Sequence, residues 1–593
     1  MTITVGLAMI VRNEEANLAS CLDSVKNAVD EMVIVDTGSS DRTVEIARRY
    51  TDKVYHYPWQ DDFSAARNFA LEHTRSQWIL SLDADEELDT ASGDLRALVL
   101  DSEGYDAFFL PLYNRTAQPS DNFTRFFVLR LFRNCAEYRF HGRIHEQVLI
   151  RRPEAVGIAE GPVIWHKLAP ESERNRKRGR NLALLQQAVA EEPANPFLQY
   201  YLGVEWLGLG QAEKALPCLR RACADLTDGH IFFRAPAVRY VMSCLKILGR
   251  LDEAICICLE ESQRYPSYTD MFFDGGVLFE EKGEYEIAIR WFNEAVRCGQ
   301  PPALFSHTNG TESFLSFYHL GYCHEKLGRL EEARNYYEQA LASNPDYIYP
   351  LYNLFLLNLV EKGPEGAFNH FKASGRLDQP QQAIALADLF FEAGFADLAC
   401  TCLDNAATGT AHFKDNYARR LAQFQICAGR LNEALSLIDG IRHAREEIDF
   451  ELTVDETVAL ILKEDYDTAR SRALLLWRQP DKRATAWALL NLIALCASNS
   501  ICGRPEKTRH PAVIRTLLDV LEKCLRFRPW RPKSNAIPLA GRYHRLVNET
   551  IGYLSQLSPE GSAALSAYFQ GKAATVRRLM DYKYGQARRL FHA

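Results

Sequence analysis

The chain has 593 residues, of which 47% are hydrophobic and 25% charged, and its formal net charge is −8. Single hydrophobic cores stop growing at about 250–300 residues, so this length excludes a one-domain protein. The charge argues against a nucleic-acid partner, and no apolar run approaches the ~18 residues of a membrane span. The cysteines form no C-x-x-C pair and the N-terminus has no signal-peptide features, which favours reduced thiols and a cytoplasmic location.

Residues 1–168 alternate between strand-like and helix-like segments. The near-continuous apolar runs TVGLAMIV (4–11) and QWILSLD (77–83) are typical of strands covered on both faces. The residues after the first run have apolar side chains at helical spacing, which predicts a first helix. The Ser and Asp residues of TGSSDRT can cap a second helix, and DDFSAARNFALEHT predicts a third. This alternation predicts a mostly parallel, Rossmann-like sheet with helices on both faces. Ligands of such sheets bind beyond the carboxyl ends of the strands.

After about residue 190 the pattern becomes helical and carries a recurring landmark. An alanine falls at 215, 254, 288, 333, 367, 399, 434 and 469, with intervals near the tetratricopeptide period of about 34 residues. The two longest intervals predict insertions near 225–236 and 299–312. We therefore expect a sheet domain over 1–168, a basic helical linker over 169–195, an α-solenoid of repeats over 196–479 and a helical region over 480–593. The groove of such a solenoid suits an extended polypeptide or a second copy of the chain, which predicts a protein partner or a homo-oligomer.

The segment WILSLDADEELD (78–89) places five acids directly after a predicted buried strand. Clustered like charge at that edge is costly unless a cation neutralises it. In an extended segment Asp83 and Asp85 would face the same side, so that one could bind Mg²⁺ or Mn²⁺ and the other a neighbouring hydroxyl. A solvated acidic helix start is the alternative, and it is the interpretation preferred for Glu86, Glu87 and Asp89.

Four segments in order resemble the family-two glycosyltransferases of the GT-A fold. They are MIVRNEEANLASCLDSV, VIVDTGSSDRTVEIA, DFSAARNFAL and LSLDADEEL, within residues 7–88. The resemblance implies a nucleotide-sugar donor, expected to be a UDP-hexose, and an inverting transfer with Mg²⁺ or Mn²⁺. It implies that Asp36 reads the uracil edge, that Asp83 lies beside the ribose and that Asp85 binds the metal. The other residues implied at the nucleotide are Val11, Arg12, Asn13, Glu14, Arg67 and Asn68; an ion pair to a nearby acid is the alternative role for Arg67.

The acceptor side is expected in FHGRIHEQV (140–148), a titratable cluster around a glycine. Glu146 is the candidate catalytic base, and His145 is the alternative because neutral imidazole also accepts a proton. A purely structural role for the histidines remains open. In VIWHKL, His166 ends a last predicted strand, where many GT-A folds place a histidine against the metal or the diphosphate; a structural role is again the alternative. The run ERNRKRGRN (173–181) is either a solvated linker face or a patch facing phosphate or acceptor.

The combination of GT-A segments and repeats resembles the sublancin-type S-glycosyltransferases, and a broader set of bacterial repeat-bearing transferases, over roughly residues 5–300. The chain departs from the sublancin type by its many additional repeats. We expect a protein or peptide acceptor delivered by the repeats. A lipid-linked or surface-polysaccharide acceptor is one alternative, and a repeat scaffold with a relic transferase domain is the other. The scaffold hypothesis predicts loss of the acids, which are all present.

Overall fold

The computed structural model describes residues 3–115, 123–404, 411–443 and 449–498, with isolated positions beyond 498. The chain forms two compact units, Met1–Pro350 and Leu351–Ala593. The boundary falls inside the predicted repeats. The N-terminal sheet domain and the first repeats therefore belong to one unit.

The sheet domain is built on the apolar runs identified in the sequence. Its strands are β1 Val5–Val11, β2 Glu31–Asp36, β3 Val54–His56, β4 Trp78–Ser81, β5 Glu86–Asp89, β6 Ala107–Arg115, β7 Phe123–Arg133, β8 Phe140–His141, β9 Gln147–Val148, β10 Val156–Ile158 and β11 Val163–His166. The main sheet has the order β3-β2-β1-β4-β7-β6-β11-β5, and β8 pairs with β9 separately. β1 pairs in parallel with β2 and β4, whereas β7 is antiparallel to β4 and β6. The first four strands are thus parallel and the whole sheet is mixed.

Helices cover both faces of the parallel part. They are α1 Leu18–Val25, α2 Thr43–Ala47, α3 Phe63–His73 and α4 Leu95–Leu100, and the domain is followed by α5 Glu171–Glu191. Alternate residues of β1 enter two different cores: Leu7 packs with α1 and Ala8 with α3. A strand buried on both faces has to be apolar throughout, which explains the run TVGLAMIV. Asp62 caps the N-terminus of α3, and its carboxylate accepts a hydrogen bond from the backbone N–H of Ala65 at 3.0 Å.

The first unit continues with paired antiparallel helices. They are α6 Pro196–Gly208, α7 Ala212–Asp225, α8 Ile231–Ile247, α9 Leu251–Arg264, α10 Thr269–Glu281, α11 Tyr285–Cys298, α12 Phe314–Lys326 and α13 Leu330–Ser343. Both predicted insertions occur. The first contains a short 3-10 helix, Asp228–His230, and the second contains a strand, β12 His307–Thr308. β12 pairs antiparallel with β7, so the second insertion extends the N-terminal sheet.

The second unit is helical over its described residues. Its helices are α14 Tyr349–Ala373, which starts just before the unit boundary, α15 Pro380–Glu392, α16 Ala396–Asp404, α17 Ala411–Ala428, α18 Leu431–His443, α19 Phe450–Lys463, α20 Tyr466–Trp477 and α21 Arg483–Ser498. α14 is broken at Gly363, where φ is +70°. The region predicted from 480 onward begins with a short 3-10 helix, Pro480–Lys482, followed by α21, and its remainder lies outside the continuous described segments.

The landmark alanines of both units confirm the repeat period. All eight have 0% of their surface exposed, and each lies in the second helix of a pair or, at 367, after the break in α14. Small residues are needed there because the paired helices cross closely. Within the described segments the cysteines are free thiols, and none of the helices combines the length and apolarity needed to cross a bilayer.

Candidate active site

The acidic turn lies at the carboxyl end of β4. β4 ends at Ser81 and β5 begins at Glu86, so Asp83 and Asp85 occupy the connection, which closes with a hydrogen bond from the Glu86 N–H to the Asp83 carbonyl at 3.0 Å. Because β1, β2 and β4 are parallel neighbours, the loops after β1 and β2 open at the same edge. The two aspartates are in a turn and not in the extended segment that we predicted.

Asp83 belongs to a chain of alternating charges. It accepts hydrogen bonds from Arg67 Nη2 at 2.6 Å and from Arg130 Nη2 at 2.8 Å. Arg130 also bonds Glu86 at 2.5 Å, and Arg67 Nε bonds Glu146. Burial alone would raise the pKa of Asp83, but the positive charges of Arg130 and Arg67 outweigh burial and lower it. Asp83 is therefore an ionised anchor for both guanidinium groups.

The prediction of a solvated acidic helix start was wrong. Glu86, Glu87 and Asp89 lie in β5, and only 3% of the Glu86 side chain is exposed. Burial is the largest influence on Glu86 and raises its pKa. Glu87 instead pairs with Lys167 at 2.8 Å. The sequence reasoning also missed Arg130; the available signal was a single arginine within the apolar run FFVLRLF.

Asp85 faces two basic side chains through the same oxygen. Asp85 Oδ2 lies 3.5 Å from His166 Nε2 and 3.1 Å from Lys177 Nζ. His166 reaches this position because β11 pairs with both β5 and β6, which sets it beside Asn114. Asn114 Oδ1 lies 2.9 Å from His166 Nδ1, a contact that favours a proton on Nδ1. The other ring nitrogen, Nε2, faces Asp85. Burial lowers the pKa of His166, but hydrogen bonding to Asp85 outweighs burial and raises it.

Asp85 and His166 fit a divalent ion. Neighbouring ligands of an octahedral ion with bonds of about 2.1 Å lie about 3 Å apart, which a small rotation of either side chain would produce. Within the described part of the chain, no three His, Cys, Asp or Glu side chains form a metal-holding group. An ion here would therefore take its remaining ligands from substrate oxygens and water. A carboxylate with an imidazole suits Mn²⁺ at least as well as Mg²⁺.

Asp36 lies at the end of β2 and organises the loop that follows it. Its carboxylate accepts hydrogen bonds from the backbone N–H groups of Gly38 at 3.1 Å and Ser39 at 3.0 Å. Asp36 Oδ2 also lies 3.3 Å from His56 Nδ1 at the end of β3. These contacts fix a buried carboxylate at the edge where the resemblance implies base recognition.

The loop after β1 is joined to the loop after β2. The Val11 carbonyl accepts from the N–H of Thr37 at 3.0 Å. Asn13 has φ +55°, and its side-chain oxygen accepts from the N–H of Ser40 at 2.8 Å. These bonds hold the exposed Arg12 at the rim of the same edge.

Glu14 follows in the same loop and faces the linker helix. Its carboxylate accepts from Asn17 Nδ2 at 2.9 Å and lies 3.7 Å from Lys177 Nζ. Burial has the largest effect on Glu14 and raises its pKa. Glu14 and Asp85 thus share one lysine.

Arg67 and Asn68 lie on α3, and the Asn68 side chain forms hydrogen bonds to the protein backbone. Its side chain donates to the Phe140 carbonyl at 2.9 Å and accepts from the Phe140 N–H at 2.8 Å. The N–H of Phe63 donates to the Arg143 carbonyl at 2.9 Å. α3 therefore holds the segment 140–148 against the sheet domain.

The two candidate bases point to different surroundings. Glu146 pairs with Arg67, and 10% of its side chain is exposed. His145 has φ +52° and stacks on Tyr201 of α6, with ring centroids 3.7 Å apart and planes 1° from parallel. Burial lowers the pKa of His145 to about 4, so its ring is neutral at pH 7. The acceptor-side segment is thereby packed against the first repeat.

The basic run lies on α5 and is more than a solvated face. Lys177 reaches Asp85, whereas Arg178 pairs with Glu205 of α6 at 3.2 Å. Arg180 lies over the ring of Phe63, 5.3 Å from its centroid. One helix thus connects the acidic turn, α3 and the first repeat.

Comparison with known proteins agrees with this architecture. Residues 7–135 match the model of glycosyl transferase family 2, and residues 314–347 match a tetratricopeptide repeat. The SPbeta prophage-derived glycosyltransferase SunS of Bacillus subtilis (strain 168) is 30% identical over 292 residues, which cover 47% of this chain and 67% of SunS. A TPR repeat-containing protein of Synechococcus elongatus is 32% identical over 348 residues, covering 58% of this chain and 68% of the relative. An uncharacterized glycosyltransferase of Rickettsia typhi is 37% identical over 100 residues, covering 17% and 34%.

The mixed sheet with helices on both faces, its acidic turn and the helical repeats define a glycosyltransferase domain joined to a tetratricopeptide domain. The chain belongs to glycosyltransferase family 2. The predicted fold class and enzyme class are confirmed, and so is the resemblance to the sublancin-type enzymes.

Proposed function

We propose that the enzyme transfers a hexose from a UDP-sugar to a protein or peptide acceptor, with inversion and with the help of Mg²⁺ or Mn²⁺. The observation that carries this proposal is the convergence of Asp85 and His166 at the edge where β1, β2 and β4 end. A half-buried carboxylate and an oriented imidazole facing one point suit a divalent ion that also binds donor phosphates.

Asp85 and His166 would hold the ion, and Asn114 keeps the imidazole in the ligating tautomer. When bound, a divalent ion supplies positive charge to the leaving diphosphate. Asp83 anchors Arg67 and Arg130, yet 38% of its side chain is exposed. That exposure supports a contact between Asp83 and a donor hydroxyl, as expected for the ribose side.

Glu146 is the proposed catalytic base. Its carboxylate pairs with Arg67 beside the acceptor-side segment, and a carboxylate is a group that accepts a proton from the acceptor. His145 is less suited because its ring is stacked on Tyr201 and its pKa is lowered to about 4. A donor diphosphate that attracts Arg67 would release Glu146 toward the acceptor.

A protein or peptide acceptor is supported by the way the repeats join the sheet domain. The first repeat stacks Tyr201 on the segment that carries Glu146, and β12 of the second insertion pairs with β7. An acceptor bound along the helices of the first unit would therefore be held by elements that contact the acceptor side of the site. Extended polypeptides are the ligands that such helical grooves bind.

The proposed donor site is tested by calorimetric titration with UDP in the presence and absence of Mn²⁺. We expect metal-dependent binding by the wild type and its loss in Asp85→Asn. Asp89→Asn is the matched control, since Asp89 lies at the far end of β5 and accepts a hydrogen bond from the N–H of Ala91. Equal metal-dependent binding by the wild type and Asp85→Asn would contradict the metal assignment.

The base is tested with Glu146→Gln, which keeps the shape of the side chain. We expect sugar transfer to fall by roughly 10²–10⁴-fold, the usual effect of losing a general base, while UDP affinity does not fall. The measurement is transfer from radiolabelled UDP-sugars to candidate peptides. Unchanged transfer in Glu146→Gln together with loss in His145→Phe would assign the role to His145.

A further inference from the structure

Lys177 is a cation beside the acidic turn that lies outside the family-2 match. It lies on α5, whereas the matched region ends at residue 135. Its Nζ lies 3.1 Å from Asp85, 3.5 Å from Glu173 and 3.7 Å from Glu14. Only 28% of the side chain is exposed. A lysine surrounded by three carboxylates at the acidic turn is more than part of a solvated linker.

The position of Lys177 overlaps with that of the expected ion. The ammonium group and His166 both approach Asp85 Oδ2, the oxygen that the ion would use. An ion at about 2.1 Å from this oxygen would be a close neighbour of the ammonium group, and like charges repel. The two cations therefore compete for Asp85.

The Lys177 side chain can move away from Asp85. Its four-carbon stem is flexible, and an ammonium group is a compact charge that binds phosphate oxygens. The helix that carries it is fixed, because the neighbouring Arg178 pairs with Glu205 and Arg180 lies over Phe63. Movement of the lysine side chain alone is sufficient to transfer its charge from Asp85 to an incoming phosphate group.

We propose that Lys177 is the counter-cation of the donor-diphosphate site. It neutralises Asp85 while the site holds no metal, and it contacts the diphosphate once a divalent ion has taken Asp85. This role rests on the proposed donor site, and it gives α5, the helix between the sheet domain and the repeats, a direct contact with substrate.

The test uses the full-length chain and Lys177→Met, which keeps the length of the stem and removes the charge. Mn²⁺ binding without nucleotide is followed by electron paramagnetic resonance, and UDP and pyrophosphate binding in saturating Mn²⁺ by calorimetry. We expect roughly tenfold tighter Mn²⁺ binding, because the competitor is gone, and roughly tenfold weaker binding of UDP and pyrophosphate, because a charged hydrogen bond is lost. Lys177→Arg should retain most of the UDP affinity.

Lys167→Met is the matched control. Lys167 is a neighbouring lysine paired with Glu87 at 2.8 Å, and its loss should leave both affinities unchanged. Opposite shifts for Mn²⁺ and UDP in Lys177→Met, with an unchanged melting temperature, would support the proposal. Unchanged affinities, or equal weakening of both, would overturn it and leave a structural ion pair. A wild type that binds Mn²⁺ but neither UDP nor pyrophosphate would refute the proposed donor and the diphosphate contact together.

Discussion

The ion-pair chain around Asp83 predicts that Arg130→Met is severely destabilising. The substitution keeps most of the side-chain volume and removes the guanidinium group that bonds Asp83 at 2.8 Å and Glu86 at 2.5 Å. Asp83 would retain its ion pair with Arg67. Glu86 would lose its ion-pair partner although only 3% of its side chain is exposed to solvent. The cost therefore falls mainly on Glu86.

The expected loss is about 3–5 kcal/mol, the range for removing one partner of a buried ion pair. Burial already raises the pKa of Glu86, so Glu86 can take up a proton in the variant. This protonation limits the loss of stability to the lower end of that range. A carboxyl group whose pKa is higher in the folded state than in the unfolded chain favours folding at low pH. The variant should consequently lose further stability as the pH rises through the folded-state pKa of Glu86.

Hydrogen exchange measured by mass spectrometry suits this test, because it reports the free energy of opening for peptides of β4 and β7 even when the two units unfold separately. A loss of about 3 kcal/mol should lower their protection by about two orders of magnitude. Arg133→Met is the control: Arg133 lies on the same strand, 42% of its side chain is exposed, and its loss should cost at most about 1 kcal/mol. Equal protection in the two variants would refute the buried-charge reasoning.

Two further predictions concern the helices and the second insertion. Gly321→Ala should lower the melting temperature of the first unit, because the added carbon would lie 2.6 Å from ring atoms of α13, an overpacking of about 1–3 kcal/mol. Gly179→Ala, on an open face of α5, should instead stabilise by up to about 1 kcal/mol, and a lower melting temperature there would contradict the helix-propensity reasoning. Burial lowers the pKa of His307, but hydrogen bonds to Asp270 and Glu312 outweigh it and raise the pKa from 6.5 to about 9, a shift worth about 3 kcal/mol. Because the folded protein holds this proton more tightly, the stabilising contribution of His307 is complete below pH 6.5 and is lost as the pH rises through 9. Unfolding curves of the wild type should show this pH dependence of stability, and those of His307→Gln should not. An unchanged pH profile in His307→Gln would refute the assignment.

Local patterns in the sequence were sufficient for the main elements. β1 is buried on both faces, so its apolar character could be read directly, and the eight landmark alanines mark helix crossings that repeat at a fixed interval. The sequence also showed that Asp85 and His166 follow or end strands, which is where ligands of open α/β sheets bind. Such features depend on neighbouring residues in the chain and on one general rule of sheet architecture.

The partners of the site residues depended on tertiary structure. Arg130 meets Asp83 across 47 positions of sequence because β7 inserts antiparallel beside β4, and Lys177 meets Asp85 across 92 positions because α5 packs over the acidic turn. The burial of Glu86 in β5 likewise follows from the pairing of β5 with β11 at the edge of the sheet. The sequence determined which residues end the strands and which alanines lie between helices, since apolar runs and their periodicity are local. The sheet order and the packing of α5 decided which charges neutralise one another, because a charge acts through distance in space and not along the chain.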